Sequence, residues 1–181
     1  FAEAEKRVAS ELSKEQVELD NTQRKAVDAC CNLDNRIVAV TGAAGTGKTT
    51  ILQNVYHTLY KQGRRVVLCA PTGKAAKRIT EATGISACTM HRLLEYPMPG
   101  EIDQKTGKAL VSTDPKRDRN NPIDFLVVLA DEYTMVNVEL HRNLLDALPN
   151  GAVIRMFGDD NQLQPIETNK RLQKEPSSFN K

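Results

Sequence analysis

The stretch "RIVAVTGAAGTGKTT", Arg36 to Thr50, decides how this chain folds. It opens on an apolar, β-branched run, Arg36 to Thr41. Gly42 to Thr49 then match the pattern G-x-x-x-x-G-K-[ST], and a helix-forming segment follows. A strand that turns through glycines into a helix is the context this pattern requires. Glycines let backbone N–H groups close around phosphate oxygens, and a helix N-terminus adds a dipole that favours an anion. Lys48 supplies a point charge suited to the β- and γ-phosphates of a nucleotide, and Thr49 a hydroxyl suited to Mg²⁺.

Further strands are expected on either side of the reading frame this loop sets. "RVVLCA" (65–70), "FLVVLA" (125–130) and "AVIRMF" (152–157) join "RIVAVT" (36–41) as β-rich apolar runs. Most of these are nearly continuous in apolar residues, the pattern of strands covered on both faces, as in a parallel sheet. Helices are predicted between them, at about 48–62, 73–82, 89–95 and 136–147. Strand–helix alternation of this kind predicts an α/β fold, a mostly parallel sheet with helices on both faces. Ligands of such sheets collect at the carboxyl ends of the strands. Upstream, "EAEKRVASEL" spaces Ala4, Val8 and Leu12 along one helical face. Asn21 is expected to cap the next helix, "TQRKAVDACC", with Ala26, Val27 and Cys30 inward.

Bulk properties narrow the class. The chain has 181 residues, 40% hydrophobic and 27% charged, with a net charge of +2. That suits one sizeable domain, and any basic surface must be local. Cys30, Cys31, Cys69 and Cys88 form no C-x-x-C pair or metal-ligand spacing and read as reduced thiols. No apolar run is long enough to cross a bilayer, so no membrane partner is expected. No signal-peptide pattern opens the chain. The expected setting is the cytoplasm of a bacterial or phage-infected cell. The chain begins at Phe1 and reads as a piece of a longer protein.

Chemistry-bearing residues fall at the predicted strand ends. "LVVLADE" delivers Asp131 and Glu132, an acid suited to Mg²⁺ and one suited to orient or deprotonate an attacking water. "CAPTGKAAKRI" places Thr72, Gly73 and Lys74 at a second strand end, where they form either an ordinary strand–helix turn or a site for a nucleic-acid phosphate. "ACTMHRLL" makes Thr89 a helix cap followed by His91 and Arg92; it is either a plain cap or a polar contact surface. "GDDNQLQPI" (158–166) follows the last strand. The polar segment from Tyr96 to Pro122 is either a surface loop or a β-hairpin around Gly107.

Six stretches in order, "LDNTQRKAV", "GAAGTGKTT", "APTGKAAKRI", "TMHRLL", "LADEYTM" and "GDDNQLQPI", resemble the Q motif and motifs I, Ia, Ib, II and III of superfamily 1 helicases. The branch is the 5′-to-3′ DNA helicases of the RecD-like and Dda-like kind, with wording closer to RecD. The resemblance spans roughly 4–168 and implies a P-loop NTPase of RecA-like fold with a small β-hairpin insertion. It implies ATP and Mg²⁺ as cofactors. Gln23 would read adenine, an edge that an amide matches with a donor and an acceptor. Gly42, Ala43, Ala44, Gly45, Thr46, Gly47, Lys48, Thr49 and Thr50 would bind nucleotide, with Thr49 and Asp131 on the metal. Lys48, Asp131, Glu132 and Gln162 would be catalytic, Gln162 at the γ-phosphate or attacking water. Pro71, Thr72, Gly73, Lys74, Thr89 and His91 would line a track for single-stranded DNA.

The same resemblance gives a domain plan. Residues 1–20 form a helical lead-in, and 21–168 the ATP-binding lobe. Residues 97–120 are its inserted hairpin, the pin at a single-strand/duplex junction, and 169–181 a tail. A second RecA-like lobe with an arginine finger is the implied partner. Without it, negligible ATP turnover is expected of this stretch alone. A single-strand-binding protein or a nuclease is a further partner compatible with the resemblance. Two departures stand out: Tyr133-Thr134 where Ala-Ser is usual, and Gln164 where proline is usual. Two other functions fit the same residues, an ATP-gated single-strand nucleic-acid binder that does not translocate and a superfamily 1 RNA helicase.

Overall fold

A computed structural model of the chain describes residues 19–43, 45–97 and 114–159. The lead-in before Leu19, Ala44, most of the expected hairpin, Gln162, Gln164 and the tail lie outside the described residues. The elements run α1 (Asn21–Cys31), β1 (Ile37–Thr41), α2 (Lys48–Lys61), β2 (Val66–Ala70), α3 (Gly73–Thr83), β3 (Ala87–Thr89) and α4 (Met90–Leu93). They continue with β4 (Val127–Ala130), a 3-10 turn at Tyr133–Met135, α5 (Val138–Asp146) and β5 (Val153–Gly158). All four expected strands are present. The fifth, β3, has only three residues, too few to leave a periodic signal, and it pairs through Cys69 with Cys88.

The strands form one sheet in the order β1-β5-β4-β2-β3, and every pairing is parallel. Their side chains divide by the two-residue period of a strand. Val127 and Leu129 of β4 face a core shared with Ile51, Leu52, Val55 and Leu59 of α2 and Ala75, Ala76 and Ile79 of α3. Val128 and Ala130 face the other way, onto Met90 and Leu93 of α4, Tyr133, and Leu140 and Leu144 of α5. Two cores on one sheet explain the near-continuous apolar runs. Each fully buried aliphatic side chain contributes roughly 1.5–3 kcal/mol. The exception is β1, an edge strand whose Ile37 is 54% exposed.

The start of α1 differs from the expected cap. Asp20, not Asn21, is the N-cap, and its Oδ1 accepts from the backbone N–H of Thr22 and Gln23 at 2.7 and 2.8 Å. The Gln23 Oε1 accepts in return from the Asp20 N–H at 3.1 Å, closing a capping box. A carboxylate serves as a cap as well as an amide does, and the box adds the glutamine. At the other end of this helix sits a residue that the sequence reading took only for part of a strand. Arg155 of β5 is fully buried and donates to the carbonyls of Cys30, Asn32, Asn35 and Ile154. Its guanidinium ties the α1–β1 connection to the sheet through backbone acceptors. No described helix is long and apolar enough to cross a membrane.

Candidate nucleotide and nucleic-acid site

Because every strand is parallel, all five carboxyl ends lie along one edge of the sheet. From one side to the other this edge carries the glycine loop after β1, Asp159 after β5, Asp131 and Glu132 after β4, Pro71 to Gly73 after β2, and Thr89 at the end of β3. With strands about 4.8 Å apart, the loop and Thr89 stand roughly 19 Å apart, and Asp131 lies midway between them.

The glycine loop has the backbone its sequence requires. Gly45 and Gly47 both sit at φ +82°, a region that L side chains rarely adopt. A Cβ at Gly42 would lie 2.7 Å from the Thr46 Oγ1, and one at Gly47 would run into the Gln23 amide. The loop closes on itself through Thr46, whose hydroxyl donates to the Ala43 carbonyl at 2.9 Å. It is tied to β5 by the Gly42 N–H, which donates to the Gly158 carbonyl at 3.3 Å. The N-cap of α2 is Gly47, and among the described residues no side chain caps the N–H groups of its first turn. An uncapped helix N-terminus behind a glycine loop fits a phosphate. The Lys48 ammonium folds over the loop and donates to the carbonyls of Gly42 and Ala43. Thr49 and Thr50 follow in the first turn of α2.

Asp131 directly follows β4, with its N–H donated to the Cys69 carbonyl at 3.0 Å. Burial holds its carboxyl above the usual carboxylate range, and the Glu132 charge adds to this. The Glu132 backbone N–H and the Lys48 ammonium oppose it. That Lys48 acts on Asp131 at all shows that the fold brings residues 83 positions apart into one electrostatic environment. Thr49 offers a hydroxyl and Asp131 a carboxylate, oxygen donors of the kind that Mg²⁺ takes. Among the described residues no group of three His, Cys, Asp or Glu could hold a metal by itself.

Among the described residues, Glu132 is one of two non-glycine residues at positive φ, at 50°, where the chain turns from β4 into the 3-10 turn. Its side chain is 20% exposed, and its Oε1 accepts from the Arg78 guanidinium of α3 at 3.4 Å. In the following turn Tyr133 is buried, with its hydroxyl 2.7 Å from His141 Nδ1. Burial lowers the pKa of His141. Thr134 keeps the expected hydroxyl, yet its buried Oγ1 has no hydrogen-bond partner among the described residues.

The other expected contacts are placed as follows. Gln23 reaches the glycine loop, its Nε2 donating to the Thr46 carbonyl at 3.2 Å. Thr72 and Thr89 are N-caps, accepting from Ala75 and Arg92 N–H at 3.2 and 3.1 Å. Each hydroxyl retains its own proton to donate. Gly73, Lys74 and His91 are exposed, and the His91 ring lies 4.8 Å from that of Tyr96. Arg78, which holds Glu132, was missed in the sequence because it reads there as one more exposed helix cation.

Residues 23–168 match the model of a family described as an AAA domain. The chain is 40% identical over 133 residues to the ATP-dependent RecD2 DNA helicase of Deinococcus radiodurans, covering 74% of this chain and 17% of that one. It is 30% identical to the RecBCD enzyme subunit RecD of Buchnera aphidicola, covering 77% of this chain and 25% of the relative. It is also 30% identical to the ATP-dependent DNA helicase dda of phage T4, covering 72% and 28%. The chain thus spans between a sixth and a third of these three relatives. Among solved structures, Pif1 from a Bacteroides species aligns with a TM-score of 0.57 at 25% identity, over 87% of this chain and 36% of that one. The chain belongs to the AAA domain family, has an α/β RecA-like P-loop fold, and is similar over part of their length to the RecD-like superfamily 1 helicases.

Proposed function

We propose that the chain is the N-terminal motor lobe of an ATP-dependent DNA helicase. In this reading it couples ATP binding and hydrolysis to 5′-to-3′ movement along single-stranded DNA and to duplex unwinding in recombination, repair or replication. The observation that carries the reading is the joint placement of Lys48 and Asp131 on the sheet edge that also carries Thr72 to Lys74 and Thr89.

Each residue then has a task. Lys48 exchanges its two loop carbonyls for the β- and γ-phosphates. The N–H groups at the start of α2 cradle those phosphates. Thr49 and Asp131 would hold Mg²⁺, which would supply positive charge to neutralise the phosphates. Glu132 takes the proton of the attacking water or orients it. Gln23, whose amide already reaches the loop, turns to the adenine edge, and Gln162 monitors the γ-phosphate. Pro71, Thr72, Gly73, Lys74, Thr89 and His91 contact the DNA backbone. A second RecA-like lobe completes the site with an arginine finger, and the 97–120 insertion meets the junction. The proposed setting is the cytoplasm of a bacterial or phage-infected cell. A passive clamp needs no hydrolytic carboxylate pair, which favours the motor.

Strand displacement by the full-length protein tests this, on duplexes with 5′ or 3′ single-stranded tails. Unwinding from the 5′ tail alone, abolished by Lys48→Ala, is expected. Unwinding that survives Lys48→Ala would remove this site from the mechanism.

A further inference from the structure

The Arg78–Glu132 contact joins two parts of the site that the proposed function keeps separate. Arg78 stands on α3, the helix whose first turn carries Gly73 and Lys74. Lys74 and Arg78 are four residues apart, so they share one outer face of the helix. The inner face of the same helix, Ala75, Ala76 and Ile79, is buried, which fixes where the outer face points. Lys77, on an adjacent row, is engaged elsewhere, 3.7 Å from Glu81. Arg78 instead reaches across to the acid that follows β4. Its side chain is 69% exposed, while that of Glu132 is 20% exposed. The contact is a single one of 3.4 Å. A phosphate offers a guanidinium paired, shorter bonds. The carboxylate is therefore held by a cation that an incoming phosphate can take away.

We propose that Arg78 is a positioning residue: it holds Glu132 aside until a nucleic-acid phosphate on the Lys74–Arg78 face takes the guanidinium and frees the carboxylate for water. Resting on the motor-lobe reading, this makes strand binding the signal for hydrolysis, through one side chain. Competition of this kind is reciprocal: if phosphate displaces Glu132 from Arg78, then Glu132 weakens phosphate binding by the same factor.

The test is a double-mutant cycle on the full-length protein, with a labelled oligothymidine and neither nucleotide nor Mg²⁺ present. Glu132→Gln is expected to tighten oligonucleotide binding about two- to five-fold, the scale of one exposed ion pair. In an Arg78→Ala background the same change should have no effect, and in Arg78→Lys a reduced one. ATP turnover gives the second readout. Arg78→Ala should raise turnover without DNA by a similar factor and compress its stimulation by DNA, with KM for ATP unmoved. Tightening by Glu132→Gln that is absent, or equal in both backgrounds, would overturn the proposal while leaving the motor reading intact. So would unchanged DNA-free turnover in Arg78→Ala. A wild-type protein that neither binds the oligonucleotide nor responds to it would overturn both.

Discussion

Arg155→Met is the most exacting perturbation of the scaffold that holds this site. Arg155 is fully buried, and it donates to Cys30, Asn32 and Asn35 carbonyls at 2.6, 2.9 and 2.9 Å. Replacing a buried ion pair by apolar residues is often neutral, because both charges leave together. Here the acceptors are backbone and stay behind. The Cys30 residue is itself fully buried, so its carbonyl loses a charged donor without gaining water, at a cost of about 2–3 kcal/mol. Asn32 and Asn35 are exposed, so their carbonyls recover water and cost about 0.5–1 kcal/mol each. Burial already lowers the pKa of Arg155, and relief of that desolvation offsets part of the total. The net expectation is a loss of about 3 kcal/mol, or roughly 6–12 °C in Tm for a domain of this size. Urea unfolding measures it, with the midpoint falling and the slope unchanged. A loss under about 1 kcal/mol would refute the claim that Arg155 anchors the α1–β1 connection.

Three further substitutions probe the site itself. Gly47→Ala forces a Cβ into the left-handed region and against the Gln23 amide. At about 1–2 kcal/mol, nucleotide binding should weaken roughly five- to thirty-fold, read with a fluorescent ATP analogue, and an unchanged affinity would contradict the loop geometry. Asp131→Asn should cost turnover yet stabilise the fold near neutral pH. A raised folded-state pKa means that the native state binds the proton more tightly than the unfolded state. Stability therefore falls as pH rises from the ordinary 3.8 through the raised value. Melting curves across that window should diverge between wild type and variant as pH rises and converge in acid. Thr134→Val removes a buried hydroxyl that has no partner among the described residues, so stability should rise by about 1 kcal/mol in chemical denaturation, and a comparable loss would show that the hydroxyl has a role.

The sequence showed most plainly what backbone and burial dictate. The glycine loop was readable because positive φ and close approach restrict Gly45 and Gly47 to one residue type. The parallel sheet was readable because two cores on opposite faces make β2 and β4 apolar throughout and β5 apolar but for Arg155. The order of the strands, and hence the distance from Lys48 to Thr89, was not readable, since parallel crossovers leave it open. Asp20 was passed over for its neighbour Asn21, because both residue types cap and only the return bond from Gln23 separates them. Arg155 and Arg78 were invisible for a common reason. A cation in a sequence gives no sign of whether it is buried against carbonyls, as Arg155 is, or reaches a carboxylate 54 residues away, as Arg78 does.

ATP turnover by the full-length protein, followed against the concentration of single-stranded DNA, tests most directly whether the two ends of this sheet edge act as one device. Turnover is expected to be low without DNA, to rise to a plateau as DNA is added, and to collapse in Lys48→Ala at every DNA concentration. Turnover that ignores DNA, or that persists without Lys48, would contradict the account.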